Sequence, residues 1–363
     1  MFPREGKNEM SVAKGLADAA DRSLLDEVQA GIPVVERPFE ELGSGLGLLG
    51  EEVMARLSRL KESGVIRQIS AIFDTPSLGY RSALVAARVS EAGFARAVEV
   101  INSHPGVSHN YRREHEFNLW YTVAVSPVSL LGLDATIGML HRLSGAESTR
   151  PLPTMKLYKI GVRFRMGDGS GRAGAASPPA FTGTSRKVVA PPVAGDIPLI
   201  RSLQEDLDLV EEPFVRMAAG LGISFGDLRD RVERMKASGL MRRFSAVLRH
   251  RKAGYAANAM GVWSVPDGGD KACDRAGEIF ASFDEVSHCY RRPRYPDWPY
   301  DLFTMVHGRS REECGDVLAR MAAASGLEPP LALYSTEEFK KVRVRYFEDA
   351  ERRWEEEHAA NAV

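Results

Sequence analysis

Two stretches of this chain read alike: VSHNYRREHEFNLWYTV, starting at Val107, and VSHCYRRPRYPDWPYDLFTMV, starting at Val286. The likeness extends well beyond them. LKESGVIRQISAIF from Leu60 matches MKASGLMRRFSAVL from Met235. Pro38-Phe39 matches Pro213-Phe214, and Gly79-Tyr80 matches Gly254-Tyr255. The chain is a tandem duplication, so any fold assigned to one half must also suit the other. Between the halves, the Gly-, Ala-, Ser- and Pro-rich stretch from Asp168 to Asp196 holds too little apolar surface to offset its ordering entropy. It predicts a mobile linker.

Each half opens with helical periodicity. PFEELGSGLGLLGEEVMARLSRLKESGVI predicts a short helix, a Gly-containing turn and a longer helix, with Val53, Leu57 and Leu60 on one stripe and Gly64 as the stop. That spacing is helix-turn-helix. A pattern of strand, strand, helix, strand, strand, helix, strand follows, starting with RQISAIFD and closing with LYKIGVRF in the first half and KKVRVRYF in the second. The expected class is α+β: each half a helix-turn-helix domain plus a ferredoxin-like βαββαβ sandwich. The boundaries expected are 20–66 and 67–166 for the first pair of domains, 167–196 for the linker, 197–241 and 242–347 for the second pair, and 348–363 for a charged tail. The two halves are expected to pack on each other as a pseudo-symmetric pair, because each sandwich alone would expose an apolar sheet face. A homodimer of the whole chain is a further expectation.

Charge narrows the function. Lys plus Arg (48) nearly equals Asp plus Glu (49), so the chain lacks the basic excess of a dedicated nucleic-acid binder. The would-be recognition helices begin with Gly50-Glu51-Glu52 and Gly226-Asp227, and carboxylates there oppose a phosphate-lined groove. No specific nucleic acid is expected. Three cysteines in no C-x-x-C pattern, a polar N-terminus and no apolar run of membrane length point to the cytoplasm and away from a membrane. No metal-ligand spacing appears, and GSGLGLLG from Gly43 sits in a helical turn rather than after a strand, so it is not a phosphate loop.

A repeat that only had to fold would not need to keep a His, a Tyr and two Arg. Strand alternation predicts that Val286, His288, Tyr290 and Arg292 point one way and Ser287, Cys289 and Arg291 the other. In the first copy Val107, His109, Tyr111 and Arg113 oppose Ser108, Asn110 and Arg112. A polar structural strand is the plainer account of either copy alone. Both together suit a large, flat, acidic ligand, with aromatic contact, a proton donor and guanidinium forks. The closing strands add Lys341, Arg343 and Arg345, and in the first copy Lys159, Arg163 and Arg165. Such cations either blunt a sheet edge or attract a polycarboxylate.

NYRREHEFNLW, CYRRPRYPDWPYDLFTMVHGRSREEC and STEEFKKVRVRYF resemble the two subunits of the siroheme decarboxylase family, fused in one chain on the scaffold of the leucine-responsive regulators. The resemblance covers nearly everything outside the linker and termini, and PDWPY is its most specific motif. It implies a carboxy-lyase that takes two acetate carboxyl groups from siroheme, giving 12,18-didecarboxysiroheme for haem or haem d1 synthesis. No cofactor is implied beyond the iron that the substrate brings. Candidate catalytic groups are His288, Tyr290, His109 and Tyr111, with His288 or His109 either donating a proton or ligating the substrate iron. Candidate substrate-binding groups are Arg291, Arg292, Arg112, Arg113, His115, Arg294, Trp298, Tyr300, Lys341 and Arg343. His115 aligns near Arg294, and the first half lacks the PDWPY stretch, which suggests one active pocket and one supporting half. A DNA-binding regulator and a non-catalytic haem or amino-acid sensor are the competing classes.

Overall fold

The structure, a computed structural model, describes residues 19–160, 192–248, 257–266 and 269–359. These fall into two compact units, one ending at Gly79 and including residues 192–248, the other starting at Tyr80.

The first unit holds both helix-turn-helix segments. In the first, helices α1 (Ala19–Ala30), α2 (Pro38–Leu46) and α3 (Gly50–Glu62) bury Val53, Leu57 and Leu60 as the periodicity predicts. The chain leaves α3 through Gly64 at φ 74°, a conformation that suits glycine. The second segment repeats this with α6 (Ile197–Leu203), α7 (Pro213–Gly220) and α8 (Phe225–Ser238). The acidic residues at the starts of α3 and α8 do helical work. Ser224 caps α8 by accepting from the Asp227 amide at 3.0 Å, and Glu51 and Glu52 lie in the first turn of α3, where the helix dipole favours them.

Strand β1 (Ile66–Phe73) is the segment expected to open the first ferredoxin-like sheet. It does not open the ferredoxin-like sheet. It pairs antiparallel with its repeat-mate β7 (Met241–Leu248), with Ser70 opposite Ser245, in a two-stranded ribbon of the first unit. Ile69, Ala71 and Phe244 are buried in that unit, so the apolar residues that make the segment look like a sheet strand serve a different core.

The second unit contains two ferredoxin-like sheets. The first half supplies β2 (Arg81–Arg88), α4 (Phe94–Ser103), β3 (Val107–Arg113), β4 (Leu119–Val125), α5 (Gly132–Ser144) and β5 (Ser148–Pro153), in sheet order β5-β2-β4-β3. The second supplies β8 (Ala257–Trp263), α9 (Asp270–Ser282), β9 (Val286–Arg291), β10 (Leu302–Gly308), α10 (Arg311–Ser325) and β11 (Leu331–Lys341), in the matching order β11-β8-β10-β9. The halves then exchange strand ends. After β5 the chain continues as β6 (Lys156–Ile160), which pairs with β9 of the other half, while the end of β11 pairs with β3, Lys341 lying opposite His109. Each exchange covers an edge that would otherwise present unpaired backbone groups. The closing strands thus differ from prediction: the described part of LYKIGVRF, within β6, and Lys340 and Lys341, at the end of β11, pair with the partner half's sheet, and Arg163 and Arg165 lie outside the described residues, as does most of the predicted linker.

The predicted charged tail is also corrected. Residues from Asp349 form helix α11 (Asp349–Ala359), anchored by buried Trp354 in the core of the first half's sheet and helices. Its carboxylates are used: Glu351 accepts from the Ser126 amide at 2.9 Å and Glu355 from the Leu130 amide at 2.8 Å, just before α5. A composition of mostly charged residues hid an amphipathic helix carrying one aromatic anchor.

Because each half completes the other's sheet, cutting the backbone between residues 160 and 192 at an introduced protease site should leave the two fragments co-eluting in native size-exclusion chromatography. Clean separation into soluble halves would contradict the exchanged pairing.

Candidate active site

The two V-S-H-x-Y-R-R copies form β3 and β9, each with a register irregularity beside its first residues. The irregularity changes the alternation, correcting the predicted faces. Val107 and Val286 enter the helix-side cores, while His109 pairs opposite Thr122, Tyr111 opposite Trp120, His288 opposite Met305 and Tyr290 opposite Phe303. Residues directly opposite share a face. Trp120 and Phe303 belong to a third buried cluster, built from both halves and distinct from the two helix-side cores. His109, Tyr111 and Arg113, and likewise His288, Tyr290 and Arg292, therefore project from the sheet face turned away from the helices. The His and Tyr rings stack in both copies, with centroids 6.1 Å apart in the first and 5.9 Å in the second.

Arg113 and Arg292 are buried and occupy matching positions. Arg113 donates to the Leu333 carbonyl in β11 at 2.8 Å, and Arg292 donates to the Leu152 carbonyl in β5, each reaching across to the other half. Arg292 also lies 4.8 Å from the Tyr290 ring centroid and Arg113 5.9 Å from that of Trp120. Neither has a carboxylate partner among the described residues, and the Nε of each is buried without a hydrogen bond. Burial pulls both guanidinium groups down to about 10, so both remain charged at neutral pH. A buried cation without a counter-charge costs several kcal/mol, which two matching positions would not both retain for packing alone.

The histidines converge. Ser108 Oγ holds His109 Nδ1 at 2.9 Å, and Ser287 Oγ holds His288 Nδ1 at 2.8 Å. Among the described residues, the second half alone adds a further group, with Ser287 Oγ 2.7 Å from His307 Nε2. His288 is pushed down to about 4, first by desolvation and then by the positive charge of His307, Arg292 and His109. Lys341, opposite His109 in the register, likewise lowers His307 after burial does. Cationic groups from both halves thus share one neighbourhood, as an acidic ligand requires.

Other predicted residues lie elsewhere. Arg112 and Arg291 turn to the helix side, where Arg112 pairs with Glu91 at 2.6 Å and lies over Phe94, and Arg291 pairs with Asp270 at 2.5 Å. Arg294 is bound to Asp301 and to the Val265 carbonyl, as a strut of the loop before β10. Trp298 is 0% exposed, packed against Phe117, Trp120 and Phe303, so it cannot offer the open flat surface expected of PDWPY. Half-buried Tyr300 packs on it at 4.8 Å. His115 meets Trp298 edge-on at 5.5 Å, and burial lowers its pKa. Lys341 is exposed, 3.7 Å from Glu338, and Arg343 lies just past the end of β11. An open polar cleft lined by Arg113, His115 and Glu337 lies at the far end of β3 and includes neither His109 nor His288. Ser108, Ser287 and His307 were missed. Alternation along LFTMVHG places His307 on the face of Phe303 and Met305, a signal present in the sequence but partnerless there.

A family model described as the siroheme decarboxylase NirDL-like HTH domain matches residues 21–67 and 196–242, and one for the AsnC-like ligand binding domain matches 77–159 and 252–340. The siroheme decarboxylase of Hydrogenobacter thermophilus is 35% identical over 333 residues, covering 91% of this chain and 96% of the relative. The chain belongs to the siroheme decarboxylase family. Within that family, the beta subunit from Methanosarcina barkeri is 44% identical over 150 residues, or 41% of this chain and 97% of the subunit, consistent with two subunits fused here. The crystal structure of the siroheme decarboxylase NirDL in co-complex with an iron-uroporphyrin III analogue matches with a TM-score of 0.77 at 29% identity, over 95% of this chain and 100% of that one. The helix-turn-helix segments match this decarboxylase family's own model, which agrees with the acidic starts of α3 and α8.

Proposed function

We propose that this chain is a carboxy-lyase that removes two acetate carboxyl groups from siroheme, giving 12,18-didecarboxysiroheme for haem or haem d1 synthesis. The observation that carries this, beside family membership, is the pair of buried guanidinium groups Arg113 and Arg292, which have no carboxylate partner among the described residues and lie on the face that also carries the His-Tyr pairs. A tetrapyrrole polycarboxylate supplies those counter-ions as charge-assisted, geometrically specific pairs.

Each step breaks one carbon–carbon bond. The acetate loses carbon dioxide, its bonding electron pair passes toward the pyrrole ring, and a proton arriving at the methylene makes the methyl group. One proton is consumed per carboxylate. His288 is assigned as proton donor through Nε2, its Nδ1 being held by Ser287. Burial, and then the neighbouring charges, leave His288 neutral at pH 7. A bound polycarboxylate brings negative charge beside the ring and opposes the contribution of Arg292, so substrate binding favours loading the proton it must give. Tyr290 and Tyr111 supply aromatic contact and hydroxyl donors beside the rings of His288 and His109. The iron belongs to the substrate and no other cofactor is assigned.

The neutral imidazole favours a second role for His288, as axial ligand to the substrate iron. Anaerobic incubation with siroheme, followed by mass spectrometry, should show loss of two carbon dioxide units. A Soret change without mass loss would leave a tetrapyrrole sensor, and neither change would remove siroheme as ligand.

A further inference from the structure

We propose that His307 is a positioning residue for the decarboxylation, acting through Ser287 to fix the ring of His288, and that it makes the second half the reactive one. The inference rests on the decarboxylase reading. Ser287 Oγ lies 2.8 Å from His288 Nδ1 and 2.7 Å from His307 Nε2, and 3.3 Å from the Met305 carbonyl. Those three partners fill the bonding capacity of one hydroxyl, so Ser287 cannot rotate without losing one of them. With Nδ1 held on a locked hydroxyl, the His288 ring is fixed in plane and only Nε2 remains for the substrate. His307 is itself fixed, since its backbone amide donates to the Glu285 carbonyl at 3.1 Å and the residue pairs opposite Asn258 in β8.

The pseudo-symmetric copy provides an internal comparison. Val107 pairs opposite Val123 as Val286 does opposite Val306, so Ala124 stands where His307 stands in the second half. Ser108 still holds His109 Nδ1 at 2.9 Å, but a methyl group cannot fix that hydroxyl. The His-Ser contact is kept in both copies and its anchor in only one. A polar side chain half-buried on a sheet face serves no packing need that the alanine of the first half fails to meet.

The test uses the full chain. His307→Ala should lower kcat by about 10-fold and by no more than about 100-fold, the cost of losing a supporting partner behind a reacting group. KM should stay within about twofold and the far-ultraviolet spectrum unchanged. His307→Gln, whose amide can reach Ser287, should recover most of the lost kcat, and Ser287→Ala should cost more than Ser108→Ala. Wild-type kcat in His307→Ala, or no rescue by His307→Gln, would overturn the positioning role. Absence of turnover in the wild-type chain would instead overturn the decarboxylase reading, and a fall in Tm with kcat per folded molecule unchanged would assign His307 to stability alone.

Discussion

Replacing His288 by alanine is expected to lower both decarboxylation steps by about 10²- to 10⁴-fold, the range of a lost general acid, while the protein stays folded. The fold should survive because His288 is half-buried on the sheet face away from the helices and is absent from the apolar clusters. His109→Ala should cost less, since Ser108 lacks an anchor like His307. The pH dependence follows from the same charges. Burial first, and then His307, Arg292 and His109, push His288 down to about 4. A bound polycarboxylate sets negative charge beside Arg292 and the His288 ring and so raises it. An acid loses activity as pH rises through its pKa, so the fall in kcat, which reports the complex, should lie at higher pH than the fall in kcat/KM, which reports the free enzyme. Stopped assays that resolve the mono- and didecarboxylated products by mass, run across pH, check both. Wild-type turnover in His288→Ala would remove the assignment, and equal losses in His288→Ala and His109→Ala would remove the asymmetry between halves.

The duplication, the class and the helix-turn-helix segments were legible because each rests on local periodicity that repeats. The apolar stripe Val53, Leu57 and Leu60 is one helix face wherever it packs. What the sequence could not reveal is which strands pair. RQISAIFD has a sheet-like pattern, and nothing local says that its partner is its own repeat-mate 175 residues on, as in Ser70 against Ser245. The exchanged ends of β6 and β11 are non-local in the same way. For the site, His109, His288, Arg113 and Arg292 were readable as repeated polar residues. Their neighbours Arg112 and Arg291 were drawn in with them, although alternation puts them on the helix side, where Glu91 and Asp270 take their charge. His307 acquires meaning only once β9 and β10 are side by side.

Trp298→Ala should destabilise the second unit by about 3–5 kcal/mol, the cost of truncating a fully buried large aromatic. Trp298 is 0% exposed, and its ring lies 5.6 Å from Phe117, 5.3 Å from Trp120 and 6.3 Å from Phe303, so it joins the halves through the face their sheets share. An alanine there leaves a cavity between strands that cannot collapse without breaking their pairing. Trp298→Phe should cost much less than the lost volume suggests. The indole Nε1 is buried with no hydrogen-bond partner, a deficit of about 1–3 kcal/mol that phenylalanine removes while keeping most of the ring contact. Denaturant unfolding followed by tryptophan fluorescence and circular dichroism reads both values. The sequence alone made this residue an open aromatic surface for the macrocycle, and that role predicts the opposite result: weakened siroheme binding at unchanged stability. A stable Trp298→Ala protein with a raised Kd for siroheme would restore the surface role, whereas early unfolding with normal affinity in the remaining folded fraction would establish the ring as the bolt between the two halves.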